Sequence, residues 1–185
     1  MSASEQSASK EIFDIFNEDG LLLGQAARGR VHVEGLWHKS AQVFLFDQAG
    51  WLYLQQRVAG KDVCGGLWDM SVAEHLKPGE SYLEGAVRGL SEELGVGGIA
   101  LSPMGEPQQT RLDQPEIGIR DYELQQVFRG SYQGAMVPDP VEVDEVRAIA
   151  LDDLATWVRD KPEDFTPWLL RDLSRYRILP AAQVP

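Results

Sequence analysis

The sequence predicts an α/β fold in which a mixed β-sheet packs between helices. Three observations carry this reading. Short apolar runs with period-two alternation recur along the chain, divided by turn-forming stretches. One central segment has both the capping residues and the apolar spacing of a helix. Two more helical patterns follow the last expected strand and close the chain.

The first stretch, MSASEQSASK (1–10), is small and polar, and it reads as a disordered tail rather than a secretory signal. Residues 11–180 then read as a single domain, because 185 residues suit one sizeable core better than two. EIFDIFNEDGLLLGQAARG alternates in polarity around the turn NEDG, which predicts an opening β-hairpin. AQVFLFD (41–47) and WLYLQQR (51–57) flank QAG and predict a second hairpin. LWDMSVA (67–73) reads as one buried strand and KPGE (77–80) as a turn. Ser81 is a good N-cap, Glu84 three residues later completes a capping box, and Gly95 supplies the stop. Within that helix Leu83, Ala86, Val87, Leu90 and Leu94 fall on one face. Strands are expected near 99–105, 121–129 and 143–151, and helices at LDDLATWVRD and FTPWLLRDLSRY. The stretch 105–121, GEPQQTRLDQPEIGIRD, reads as a loop able to shape substrate choice.

Composition excludes some functions. Seventeen basic and 29 acidic residues give a formal charge of −12, which argues against a nucleic-acid partner or an anionic membrane surface. No apolar run approaches the roughly 20 residues of a membrane span. The single cysteine, Cys64, allows no internal disulfide and fits a reducing compartment, so the cytoplasm is the expected location. Oligomeric state is open. Trp37, Trp51, Trp68, Trp157 and Trp168 have three available roles (core, substrate stacking, or the interface of a homodimer), and core is the default.

The central helix carries the chemistry. With Leu83 at zero and about 100° per residue, Glu92 lies roughly opposite the apolar stripe and Glu93 on its flank, at roughly 180° and 280°. Gly85 and Gly89 then join them on the expected solvent side. Adjacent carboxylates near a helix C-terminus repel each other and the helix dipole, and a bound Mg²⁺ would relieve both penalties. The same pair also reads as an ordinary solvated face.

Residues 74–96, EHLKPGESYLEGAVRGLSEELGV, resemble the Nudix box: glycine, five residues, glutamate, seven residues, Arg-Glu, an apolar residue, any residue, Glu-Glu, any residue, glycine, an apolar residue. Glu80, Arg88, Leu90, Glu92, Glu93, Gly95 and Val96 fall in register. Glu74 replaces the first glycine, and Gly89 replaces the glutamate after the arginine. DIFNEDG, GRVHVEGLWHKSAQVFLFD, LYLQQR, KDVCGGLWDMSVAEH and DEV extend the resemblance over roughly residues 12–170, toward the Nudix branch related to isopentenyl-diphosphate isomerase.

That resemblance implies a Nudix-type α/β/α sandwich and a Mg²⁺- or Mn²⁺-dependent hydrolase of a small-molecule diphosphate, such as a nucleoside diphosphate derivative or an isoprenoid diphosphate. It implies Glu93 and Glu92 as metal ligands, with Glu80 in support. Arg88 and Glu92 join the catalytic set, since a pair four residues apart can hold a ligand carboxylate in place or simply decorate the helix. Glu142, Asp144 and Glu145 in VEVDEV offer a base to replace the missing glutamate, and the family pattern points to Glu145. Arg57 and Lys61 match positions that hold the substrate diphosphate, a forked contact beside a point charge. His32, His38 and His75, with Asp121 and Glu123, coincide with metal-binding positions of the isomerase branch and would suit a transition-metal ion. The isomerase also needs a cysteine two residues before His75, where this chain has Ala73. Two alternatives therefore stand beside the hydrolase: an isomerase-like enzyme, and a catalytically weak domain that binds a diphosphate ligand or a protein partner.

Overall fold

The computed structural model describes residues 11–61 and 63–184, so the tail read at 1–10 lies outside the described residues. The chain opens on the expected hairpin: β1 (Ile12–Phe16) pairs antiparallel with β2 (Leu22–Ala27). Asn17 shapes its turn, the Oδ1 accepting from the Leu21 amide at 2.8 Å. A short helix not expected from the sequence, α1 (Arg28–Glu34), follows and buries Val31 and His32. It has no side-chain N-cap, which is why no starting signal is visible in the sequence.

The main sheet is organised around β3 (His38–Phe46). On one side β3 runs parallel to β9 (Ile119–Ser131), from His38 opposite Glu123 to Phe46 opposite Ser131. On the other side it has two successive partners. Its early residues pair with β6 (Val72–His75), and Phe46 pairs with Leu52 at the start of β4 (Leu52–Arg57). β5 (Trp68–Asp69) and β10 (Val143–Ile149) pair with β4, while β7 (Leu101–Pro103) and β8 (Gln108–Gln114) pair with β9.

Two sequence expectations change here. LWDMSVA is two short strands rather than one, because the chain crosses from β4 to β3 at Met70–Ser71. The Ser71 hydroxyl fills the gap: Oγ accepts from the Leu45 amide at 2.8 Å and donates to the Tyr53 carbonyl at 2.6 Å. The stretch 105–121 is mostly strand, β8, in a hairpin with β9. Only Thr110 of β8 is buried, so the stretch shows little apolar alternation to reveal it.

Alternation along β3 separates two apolar layers. Ala41, Val43 and Leu45 face α2 (Tyr82–Leu94), packing with Ala86, Leu90 and Leu94. Phe44 and Phe46 face the opposite way, packing with Leu154 and Val158 of α3 (Leu151–Asp160) and Leu169 and Leu173 of α4 (Pro167–Arg175). The result is the mixed sheet between helices that the sequence predicts. No helix among the described residues is long and apolar enough to cross a membrane.

The capping box of α2 forms as expected, with Glu84 N donating to Ser81 Oγ and Ser81 N to Glu84 Oε2. Gly95 ends the helix in the left-handed region at φ 65. The buried face is different from the expected one. Leu83 and Val87 are 49% and 42% exposed, whereas Gly85, Gly89 and Glu93 are buried. Bare backbone lets the helix lie close on the strand: a Cβ on Gly89 would sit 2.7 Å from Val72 Cγ1, and one on Gly85 2.9 Å from Leu76 Cδ1. The glycines therefore mark the contact face and carry Glu93 inward with them.

This contact gives a prediction that opposes helix propensity. Gly89→Ala should destabilise the protein by about 1–3 kcal/mol through overpacking, although propensity alone favours alanine by about 1 kcal/mol. Urea unfolding measures it, and a gain in stability would contradict the close α2–β6 contact.

Candidate active site

The cavity follows from the double partnership of β3. Because β6 takes the early part of β3 and β4 the end, β4 and β6 diverge. A cavity of about 550 Å³ opens between them, lined by Gln55 and Arg57 of β4 and by Ala73, Glu74 and His75 of β6. α2 contributes Glu92 and Glu93 to it, and α1 contributes His32.

At one end three imidazoles and a carboxylate converge. Ligand atoms of His32, His38, His75 and Asp121 all lie within 4.8 Å of one another. His38 Nε2 is 3.4 Å and His32 Nε2 3.7 Å from Asp121 Oδ1, and His75 Nε2 is 3.5 Å from Glu123 Oε1. Each element has a part in this. α1 presents His32, the β3–β9 register sets His38 beside Glu123, and β6 brings His75 across. His38 Nδ1 donates to the Leu36 carbonyl at 3.0 Å in the tautomer that leaves Nε2 free. Phe13 of the opening hairpin covers the cluster, stacking on His38 at 5.3 Å and lying 4.9 Å from the His75 ring.

Burial acts on His32, His75 and Asp121 in this cluster. It pushes His32 down to about 3, with His75 adding to the effect, and it pushes His75 well below the usual histidine range. Asp121 rises to about 6, through burial and then Glu123. His32 Nε2, His38 Nε2 and Asp121 Oδ1 are buried with no hydrogen-bond partner among the described residues. Buried polar atoms without partners are costly. Neutral imidazoles beside a carboxylate form a donor set that fits a transition-metal ion.

The α2 carboxylates take separate paths. Glu93 is 8% exposed and its Oε2 accepts from Gln55 Nε2 at 2.8 Å. Burial, then Glu74, pushes its carboxyl up to about 8. Glu92 is exposed at the rim, paired with Arg88 at 3.0 Å and Lys77 at 3.3 Å. Arg88 also holds Glu74 at 3.0 Å and Glu80 at 2.7 Å, and it donates to the His75 carbonyl at 2.8 Å. It thus pins α2, β6 and the preceding turn together.

Known proteins resemble this chain in sequence and in fold. A family model for the NUDIX domain matches residues 36–169. The chain belongs to the Nudix family. Isopentenyl-diphosphate Delta-isomerase 2 of Aromatoleum aromaticum is 33% identical over 153 residues, 83% of this chain and 79% of that one. Isopentenyl-diphosphate Delta-isomerase of Streptomyces avermitilis is 31% identical over 177 residues, 95% of this chain and 88% of that one. Among solved structures, DR0079 from Deinococcus radiodurans superposes with a TM-score of 0.69 at 19% identity, covering 91% of this chain and 98% of that one. A MutT protein from Methanosarcina mazei Go1 gives 0.58 at 21% identity, covering 77% and 94%. The isomerases are thus similar in sequence, and the two solved structures share the fold.

Within this Nudix cavity the remaining expected residues divide. Arg57 and Lys61 both line it. Arg57 reaches buried Asp69 at 3.3 Å and lies 5.4 Å over the Trp168 ring, while Lys61 pairs with Glu142. Burial, then Arg57, lowers the Lys61 ammonium. Glu145 does not reach the cavity: the register shift in β10 leaves it exposed and paired with Arg147 at 2.8 Å. Glu142, from the same VEVDEV segment, lines the cavity instead. Ala73 lines it too, with no group able to carry a proton. Cys64 is half-buried beside Gln114 and is not part of the lining.

Sequence reasoning missed Arg28, Gln55 and Arg171, all of which line the cavity, as does Trp168, whose default role was the core. For Gln55 the signal was its polarity next to Leu54 in the strand LYLQQR, and for Arg28 there was none.

The convergence of unpartnered donors predicts a metal response in stability. Zn²⁺ should raise the thermal midpoint of the wild type, a gain that reaches about 2.7 kcal/mol when the ion is 100-fold above its Kd. His32→Asn and His75→Asn should each lose most of that shift. Equal shifts in all three proteins would remove the histidine cluster as the site.

Proposed function

We propose that the chain is a divalent-cation-dependent hydrolase that cleaves the diphosphate linkage of a small molecule. The observation that carries this is the pairing of Glu93 with Ala73 in one cavity. A buried carboxylate on the Nudix helix faces the space, while the position implied to hold the isomerase's cysteine offers only a methyl group.

Arg57 and Lys61 would bind the diphosphate, the guanidinium by a forked contact and the ammonium as a point charge. Glu93, with Glu92 at the rim, would hold Mg²⁺ or Mn²⁺, which when bound offsets the charge on the phosphate oxygens. Gln55 keeps the Glu93 carboxylate oriented through its 2.8 Å hydrogen bond. An arriving diphosphate competes with Glu142 for Lys61. Releasing that ion pair frees the Glu142 carboxylate inside the cavity, where it can accept a proton from the attacking water. Trp168, its indole Nε1 fixed 2.8 Å from Asp69, offers a flat wall for the group beyond the diphosphate.

The isomerase-like reading has one specific support. The histidine cluster and Glu123 sit in the same cavity, and the curated relatives above are named as isomerases. A turnover screen with Mg²⁺ and Mn²⁺ over nucleoside and isoprenoid diphosphates separates the readings. Hydrolysis releases phosphate, pyrophosphate or a monophosphate, whereas isomerisation interconverts isopentenyl and dimethylallyl diphosphate without release. No metal-dependent release from any compound would sink the hydrolase.

Within that screen, Glu142→Gln should lower kcat roughly a hundredfold, as loss of a general base does. Glu145→Gln should stay within about twofold of wild type, the behaviour of a surface change. The reverse order would return the base to Glu145.

A further inference from the structure

Glu74 is the residue that the function above does not use. It lies on β6, with its side chain largely buried, and it lines the same cavity as Glu93 and Glu92. Directly opposite, across the α2–β6 contact, is Gly89. A Cβ on Gly89 would come within 3.0 Å of Glu74 Cβ and 3.4 Å of Glu74 Cγ. The two positions therefore share one volume, and only one of them can carry a long side chain. The Nudix pattern places the side chain on the helix and the glycine on the strand. This chain reverses both positions and keeps one glutamate at the contact.

Two further observations point to a ligand between Glu74 and Glu93. Glu93 is buried without a cationic partner among the described residues, its one hydrogen-bond partner being the Gln55 amide. An ionised carboxylate in that position needs a counter-charge. Gln55 itself is 2% exposed, and its Oε1 is buried with no partner, although the side chain lines the cavity. An amide oxygen and two carboxylates lining one cavity offer an all-oxygen set, the kind Mg²⁺ takes while it keeps several of its waters.

We propose that Glu74 is a Mg²⁺ ligand of this chain, reaching the cation from β6 in place of the helix carboxylate that Gly89 lacks, with Glu93 and the Gln55 carbonyl as its companions. The inference rests on the reading that the α2 carboxylates bind a divalent cation. It also accounts for Arg88, which holds the other side of Glu74 and fixes it against the helix. Gly89 is then not a lost ligand but the space that admits the replacement.

Isothermal titration with Mg²⁺ alone tests this, because Mg²⁺ favours oxygen donors over the histidine cluster. Glu74→Gln, which preserves shape, should weaken Mg²⁺ binding at least tenfold, as Glu93→Gln should. Glu80→Gln is the comparison: it strips the same arginine of a partner from outside the cavity, so it should weaken binding less than Glu74→Gln does. If Glu74→Gln binds like wild type while Glu93→Gln fails, Glu74 is no ligand and the helix site stands. If Glu74→Gln and Glu80→Gln weaken binding equally, Glu74 acts only through Arg88 and the inference is overturned. Absence of Mg²⁺ binding in the wild type overturns both this inference and the reading beneath it.

Discussion

The site depends on one constraint: β3 cannot pair with β4 and β6 at the same residues. β6 takes Ser40 to Val43, β4 takes Phe46, and the sheet has to divide between them. The division exposes strand edges that a closed sheet would hide, and side chains and cavity share the task of satisfying them. Ser71 covers one position by bonding both strands. Further along, Gln55 and Arg57 turn polar groups into the opening from one wall, and Glu74 and His75 do so from the other. The cavity is thus a product of sheet topology, and its polarity is what makes the topology tolerable.

Charge burial then sets the character of the two ends. At the histidine end burial disfavours protonation of His32 and His75, and His32 and His38 both turn Nε2 toward Asp121. At the helix end Glu93 and Glu74 are driven upward by burial, and Glu74 is the first neighbouring charge to act on Glu93. Arg88 offsets Glu74 but serves two other carboxylates as well. Both ends therefore hold more electron-donating groups than the described residues neutralise. An arrangement of that kind weakens the apo fold and is expected where a ligand supplies the missing charge.

What was legible in the sequence was local. The opening hairpin, the capping box and the Gly95 stop each depend on a few neighbouring residues, so turn and cap chemistry reveals them, whereas the second expected hairpin keeps only its Phe46–Leu52 pair. The orientation of α2 was not legible in the same way. Leu83 and Val87 extend the apolar stripe on paper, while the true contact face is built partly from Gly85 and Gly89, which add nothing to an apolar count. That misplacement put Glu93 on the flank when it is inside. β8 was hidden because its neighbours across the sheet, not its own side chains, specify it. The histidine cluster is non-local altogether: the parallel register of β3 and β9 sets His38 against Glu123, and no spacing rule yields that. Only the family resemblance pointed to it.

The same distinction governs how far kinship carries function. Identity of about a third to named isomerases spans most of both chains and leaves two thirds of the aligned residues different. Reaction type rests on far fewer atoms. Allylic isomerisation moves a proton on and off carbon, which needs groups poised to give and take it, and Ala73 offers none from its position on the cavity wall. Attack of water on phosphorus needs charge compensation and a base, and the cations, carboxylates and amide of this cavity are of that kind. Sequence kinship to named isomerases and a fold shared with more distant proteins therefore leave the reaction to be decided by the residues that line the cavity. The exchange between positions 74 and 89 follows the same logic: what the contact preserves is a carboxylate in the cavity, and the backbone that delivers it has changed.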